Sequence, residues 1–276
     1  MSEEFVCGAL FSKPDVRDYT AYTMQSDFPI EFELDMPKVK SQGVVGSCVA
    51  HALSTVVEYF NTKESGKYIE MSTGYIYGNR RLTLHKGRGM YTRDAVSTTA
   101  KYGDVPNSYF PVNVEVPYAI EKFEQEVDKI EAEGYHFKFA EYFKLKDELA
   151  IKTSIMENGP AILSMYWFDD IKVKNGVMQT KCVKTSKTGG HCMVIYGWND
   201  TGWKVQNSWG STWGKGGTVI IPYEVSFKEV WGIKDAEATS SLVLRKPFKT
   251  KFGEKLAKFL NFVISIVYNA FHKNEA

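Results

Sequence analysis

An α+β fold, with helices in the first half of the chain and strands in the second, is predicted by a change of pattern at Gly134. Before it, apolar residues recur at three- and four-residue steps, the period of a buried helix face. After it they alternate or gather in short runs, as strands do. A length of 276 residues is enough for one large domain or for two lobes around a cleft.

In chain order, residues 1–35 form an N-terminal arm with Pro14, Asp15 and Pro29 but no clear period, expected to drape over the domain. "CVAHALSTVVEYF", 48–60, has no Gly or Pro and reads as a buried helix, with Ser47 available as its N-cap. "TRDAVSTTAKYG" predicts a second helix with Asp94 in its first turn and Gly103 as its stop. "YAIEKFEQEVDKIEAEG" predicts a charged surface helix ending at Gly134. Then come "YHFKFAEYFKL", "AILSMYWF", "HCMVIYGW", "GWKVQNSWG" and "GGTVIIPY", a set of strands. One domain over 36–240 is expected, its helical lobe about 36–134 and its β lobe about 135–240.

A formal net charge of +1 gives no general pull towards nucleic acid, so a nucleic-acid partner is not expected. That average hides a basic tail, since 245–276 carries seven Lys/Arg against Glu254 and Glu275. Within 246–276, Leu256, Leu260, Val263, Val267 and Ala270 make the seam of an amphipathic helix, too short in its apolar part to cross a bilayer. Three readings of this tail stand: packing on its own domain, docking to a protein partner or a second copy, and peripheral contact with an anionic membrane. The start, "MSEEFVCGALFSKPD", lacks the basic and apolar regions of a secretory signal. Cys7, Cys48, Cys182 and Cys192 are too scattered for a disulfide framework, and none forms a C-x-x-C pair. A cytoplasmic or other reducing compartment is therefore expected, with no metal and no cofactor.

Cys48 stands out in "QGVVGSCVAH", after a glycine-rich turn and at a helix start. The thiolate is the nucleophile, and a free thiol near 8.5 is mostly protonated at neutral pH. Bringing it to about 3–4, where strongly activated cysteines lie, needs about 7 kcal/mol. A helix N-terminus supplies about 0.3–1 kcal/mol, or about 2 when partly buried. A nearby imidazolium must supply the rest. His51 is close in sequence, but a turn further into the helix it reads as a packed core histidine. His85, His136 and His272 have no supporting motif. His191, in "GGHCMVIYGW", follows two glycines and opens a strand, and Asn207 in "QNSWGSTWG" could orient its ring.

Together, "QGVVGSC", "GGH" and "NSWGSTWG" resemble the three active-site blocks of the papain-like cysteine peptidases, over about residues 36–235. His191 and Asn207 lie 143 and 159 residues beyond Cys48, near that family's usual interval of about 130–150. The resemblance implies a two-lobe fold, a helical left lobe and an antiparallel β-sheet or barrel right lobe with the active-site cleft between them. It implies peptide or protein substrates, Cys48 as nucleophile, His191 as base and then acid, and Asn207 as its holder. Gln42 would join the Cys48 N–H in the oxyanion hole. Trp209 would shield the Asn207–His191 hydrogen bond, and Trp213 would line the leaving-group side. Gly89 and Met90 would border the substrate strand, Met90 narrowing the groove, with Thr92, Ser164 and Cys192 near the main specificity pocket.

Two positions depart from the family pattern: Val45 and Val49 stand where a cysteine and an aromatic residue are usual. Many relatives carry a long inhibitory pro-region, for which the stretch before Cys48 leaves no room. Either the arm covers the cleft or location and partners control activity, and the second is the expectation. A catalytically silent or occluded binding module, and an amidase or acyl transferase on the same scaffold, are left open by the same residues.

Overall fold

The backbone of the first half is organised by one helix that is buried on every side over 48–60. The computed structural model describes residues 6–23, 27–111, 113–168, 170–180, 188–235 and 243–245. Cys182 and the tail over 246–276 therefore lie outside the described residues. From the N-terminus come three short strands, β1 (Ala9–Leu10), β2 (Thr20–Tyr22) and β3 (Phe32–Glu33). Helix α1 (Cys48–Ser65) follows, buried at every position from Cys48 to Phe60, as a core helix must be. It stops at Gly66, whose left-handed φ of 67° lets its N–H reach the Thr62 carbonyl. Ser47 occupies the N-cap position, but its hydroxyl goes to His51 and Asn113 and caps no helix N–H, a correction to the sequence reading.

Helix α2 (Thr73–Gly78) was not anticipated; Ser72 caps it by accepting from the Tyr75 N–H. Strand β4 (Met90–Tyr91) leads into α3 (Thr92–Tyr102), which Gly103 ends, and α4 (Tyr118–Gly134) completes the helical half. Of the alternating run after Gly134 only β5 (Glu141–Leu145) is a strand. The strict order of helices then strands fails next. Asp147 accepts from the Ala150 N–H and starts α5 (Glu148–Glu157) within the β half. The cap, the apolar spacing of Ala150, Ile151 and Ile155, and Gly159 were all present as signals.

The remaining strands are β6 (Ala161–Phe168), β7 (Val173–Lys174), β8 (Val177–Met178), β9 (Thr188–Trp198), β10 (Gly202–Gln206), β11 (Thr218–Pro222), β12 (Glu229–Lys234) and β13 (Val243–Arg245). They form one sheet in the order β13-β2-β5-β12-β6-β9-β10-β11-β8-β7, with β3 on β9. Most pairs are antiparallel as expected, but β2–β5 and β8–β11 are parallel. One face of the central strands, through Ile162, Cys192, Val194 and Trp231, packs with α1 residues in a single apolar cluster. The opposite face carries Leu163, Met165, Trp167, Met193 and Ile195 into a second cluster with α5. The two-lobe α+β architecture is thus present, α1 lying against β9 where the lobes meet. The arm is not merely draped: β2 and β3 join the sheet, and β1 pairs with β4.

Candidate active site

Cys48 is the first residue of α1, and the N–H groups of that first turn have no intrahelical carbonyl to bind. The loop before it is pinned to the strand lobe. Gln42 donates its N–H to the Ser208 carbonyl at 2.8 Å, and its side-chain oxygen accepts from the Ser208 hydroxyl at 2.6 Å. Ser208 follows Asn207 at the exit of β10, so one turn of chain positions both the amide of Gln42 and the partner of His191. Ser208 and its role were missed in the sequence, where only its neighbours carried a motif.

His191 lies in β9 opposite Met165 of β6. Its Nε2 is 2.8 Å from Asn207 Oδ1. That oxygen also accepts from the Ser208 N–H at 2.8 Å, which fixes it as an acceptor and makes Nε2 the protonated nitrogen of the neutral ring. The lone pair is then on Nδ1, which is buried and has no hydrogen-bond partner. Trp209 stacks on the imidazole with ring centroids 4.5 Å apart. Trp167, unforeseen as a site residue, presents its edge to His191, and Trp213 packs against Trp167 and Trp209. An aromatic wall of this kind keeps water from the His191–Asn207 bond and strengthens it.

The substrate-side candidates also come together. Thr92 and Ser164 join hydroxyls at 2.8 Å, and Ser164 stands opposite Cys192 in the β6–β9 ladder. All three are buried, as is Met90. Among the described residues, Cys7, Cys48 and Cys192 form no disulfide.

The chain's own arm lies in the cleft, the first of the two arrangements the sequence left open. Gln42 Nε2 donates to the Val6 carbonyl at 2.8 Å, so an arm oxygen occupies the place expected for a substrate oxygen. The Met90 N–H donates to the Gly8 carbonyl at 2.9 Å, and β1 runs parallel to β4. Gly8 is glycine because of this approach: a Cβ there would sit 1.9 Å from the Gly46 carbonyl oxygen. The Ala9 carbonyl lies against Gly190 in the same way, its side chain in the apolar cluster of Cys48, Met90 and Cys192. Phe11 meets Tyr166 edge-on at 4.6 Å, and Arg93 forms ion pairs with Asp15 and Asp18.

This cover decides the protonation of the dyad. Cys48 and His191 are both 0% exposed. Burial pushes the Cys48 thiol up to about 11, against the backbone groups of Cys192, Gly8 and Val49 that favour its anion. Burial pushes His191 down to about 4, against its hydrogen bond to Asn207. With the arm in place, desolvation thus favours the neutral form of each group.

His51 is a core histidine: its Nδ1 is 3.1 Å from the Ser47 carbonyl, and burial, then Lys40, lowers its pKa to about 4. With a folded value below the unfolded 6.5, its contribution to stability is complete above about pH 6.5 and is lost as pH falls towards about 4. His51→Phe should therefore flatten the acid dependence of stability and cost about 1–3 kcal/mol by stranding buried Ser47. Urea unfolding between pH 4 and 7 checks this, with peptide turnover expected to stay within about threefold. Collapse of turnover in a stably folded variant would make His51 the base.

A sequence model described as papain family cysteine protease matches residues 30–240, which leaves the cleft-filling residues 6–12 outside the match. A peptidase C1-like protein of Acanthamoeba polyphaga mimivirus is 26% identical over 197 residues, covering 66% of this chain and 63% of the relative. A cysteine protease of Blomia tropicalis is 23% identical over 197 residues, covering 66% of this chain and 56% of the relative. The chain thus spans about three fifths of the length of these relatives. Among solved structures, xylellain, a cysteine protease from Xylella fastidiosa, matches with a TM-score of 0.72 at 21% identity over 84% of this chain and 96% of that one. A procathepsin B from Trypanosoma congolense matches with a TM-score of 0.68 at 16% identity over 85% and 87%.

Proposed function

We propose that this chain, which belongs to the papain family of cysteine proteases, hydrolyses peptide bonds through an acyl-enzyme on Cys48. The observation that supports the reading is the hydrogen bond from His191 Nε2 to Asn207, which leaves Nδ1 without a partner, together with a Gln42 amide that holds a peptide carbonyl in the loop before Cys48 at the start of α1. In the cycle, His191 Nδ1 takes the thiol proton as sulfur attacks the carbonyl carbon. The oxyanion is held by Gln42 Nε2 and the Cys48 N–H. The imidazolium then protonates the departing amine as the C–N bond breaks, and afterwards accepts a proton from the water that hydrolyses the thioester. The nitrogen that meets Asn207 stays protonated throughout, so the ring turns over its proton at Nδ1 alone.

The arm must leave first. From the carbonyl bound at Gln42 it runs on through Gly8 and Ala9 towards Met90 and Cys192. A substrate would run the other way, its acyl side entering from that pocket and ending at the sulfur. The arm is thus reversed, and the Val6–Cys7 bond is not presented for acyl transfer. Its departure returns water to Cys48 and His191 and removes the main cause of their neutrality.

The test is alkylation of the full chain with a peptidyl epoxide, followed by mass mapping, together with peptide hydrolysis. Label on Cys48 with Cys7, Cys182 and Cys192 spared supports the reading; a label elsewhere, or none in the Gly8→Ala chain, defeats it. Gly8→Ala drives a methyl into the Gly46 backbone, an overpacking that typically costs about 1–3 kcal/mol, so labelling should rise about 10–100-fold. An unchanged rate would show that the arm does not gate the cleft. Hydrolysis of the peptide, rather than transfer of its acyl group to an added amine, separates a peptidase from an acyl transferase.

A further inference from the structure

Glu115 stands outside the proposed cycle, yet its carboxylate is bonded to the loop that carries the reacting groups. The Gly46 N–H, two residues before Cys48, donates to Glu115 Oε1 at 2.8 Å across 69 residues of chain. Arg88 Nε donates to the same oxygen at 2.9 Å, and a second nitrogen of the Arg88 guanidinium donates to the Val44 carbonyl at 3.0 Å. The loop is thus gripped at one N–H and one carbonyl by the two halves of an ion pair. The grip is close: a Cβ on Gly46 would lie 3.1 Å from Arg88 Cγ. Within the loop, the Val45 N–H donates to the Gln42 carbonyl, and the Val45 carbonyl accepts from Gln42 Nε2. A shift of Val44 or Gly46 is therefore a shift of the Gln42 amide and of the Cys48 N–H.

The other carboxylate oxygen reaches towards the strand that borders the cleft. Tyr77 of α2 donates its O–H to Glu115 Oε2 at 3.3 Å and accepts from the Gly89 N–H at 3.2 Å. The next residue, Met90, is the one whose N–H receives the arm. The backbone of Glu115 is itself anchored, its carbonyl accepting from the Ala119 N–H in the first turn of α4. One carboxylate thereby ties the loop at Cys48 to the strand at Met90. Folding gains little from it. The side chains of Arg88 and Glu115 are 54% and 32% exposed, and ion pairs this wet contribute little to stability. A hydrogen bond from a backbone N–H to a charged oxygen is short and strong, and what it does here is fix a position.

We infer that Glu115 is a positioning residue of the cleft, setting the turn at Gly46 so that the Gln42 amide and the Cys48 N–H meet the carbonyl oxygen as it gains charge. This rests on the peptidase reading above. Glu115 acts through Gly46 and bonds to none of the reacting groups. Donors stabilise an oxyanion to the extent that they are in place before it forms. A loop set loose therefore loses rate and keeps its affinity for substrate.

The experiment compares Glu115→Ala, Glu115→Gln and Glu115→Asp in the full chain carrying Gly8→Ala. Glutamine keeps an oxygen where the Gly46 N–H points and loses the charge; aspartate keeps the charge and falls one methylene short. Glu115→Ala and Glu115→Asp should lower kcat for a peptide amide about 10–100-fold with KM within about twofold, while Glu115→Gln stays within about threefold of the parent. Alkylation of Cys48 by a peptidyl epoxide, which builds no oxyanion, should stay within about twofold in all three. Where the alanine chain does not fold, aspartate against glutamine makes the same comparison. Unchanged kcat in Glu115→Asp overturns the proposal, as does a glutamine chain no faster than the alanine or aspartate chain, which would make charge the requirement. Alkylation that falls together with hydrolysis also overturns it, being the mark of a merely structural role. A peptidyl nitrophenyl ester, followed by release of nitrophenol, reads acylation of Cys48 by itself. Ester acylation in the parent with no amide hydrolysed would sink the peptidase reading, and the same order of variants on the ester would leave this one standing. A parent chain acylated by neither substrate overturns both.

Discussion

Cys48→Ala is expected to abolish peptide hydrolysis, a fall of about 10⁶-fold in kcat, the scale on which removal of a nucleophile acts in proteases. The fold should survive it. Cys48 opens α1 and is fully buried, and alanine in its place loses one sulfur from the apolar cluster while gaining helix propensity. The arm contacts at Gln42 and Met90 do not involve the thiol and should persist. The measurement pairs turnover with thermal unfolding, in the Gly8→Ala chain so that the covered cleft does not mask the loss. Turnover that persists in a folded Cys48→Ala protein would transfer the chemistry to another group. A chain that shows no turnover even with Cys48 present and the arm displaced would instead be the silent binding module.

What the sequence made legible was local. Cys48, His191, Asn207 and Gln42 each sit in a stretch whose neighbours advertise a turn, a helix start or a strand, so their types and spacing could be read directly. The central helix was legible for the same reason, since thirteen residues without Gly or Pro leave little else for 48–60 to be. Trp167 was not legible, being one aromatic in a run of strand residues until β6 paired with β9 and set it beside His191. The arm failed for a different reason. Three glycines, Gly8, Gly89 and Gly190, permit its backbone to enter the cleft, but each alone reads as an ordinary turn or strand glycine. Only their juxtaposition shows that a second backbone passes between them. The neutral dyad follows from that passage, and no count of residues around Cys48 could have forecast it.

Gln42→Ala separates the two jobs its amide is placed to do, and they move in opposite directions. Nε2 donates to the Val6 carbonyl of the arm, so truncation removes one neutral hydrogen bond from the cover, worth about 0.5–1.5 kcal/mol. Epoxide alkylation of Cys48, which builds no oxyanion on a carbonyl, should therefore become about 2–10-fold faster. Amide hydrolysis needs the same donor at the moment the carbonyl oxygen gains charge, and loss of such a donor costs about 10²–10³ in kcat. Faster alkylation with slower hydrolysis is the expected pair of results, measured on one preparation. Truncation also strands the Ser208 hydroxyl and the Val45 carbonyl that Gln42 satisfies, so unfolding in urea must be followed alongside. If both rates fall by one factor in a folded protein, Gln42 acts by placing Cys48 rather than by holding charge. If hydrolysis is untouched, the carbonyl that Gln42 holds in the covered state marks no oxyanion site, and Gln42 takes no part in the chemistry.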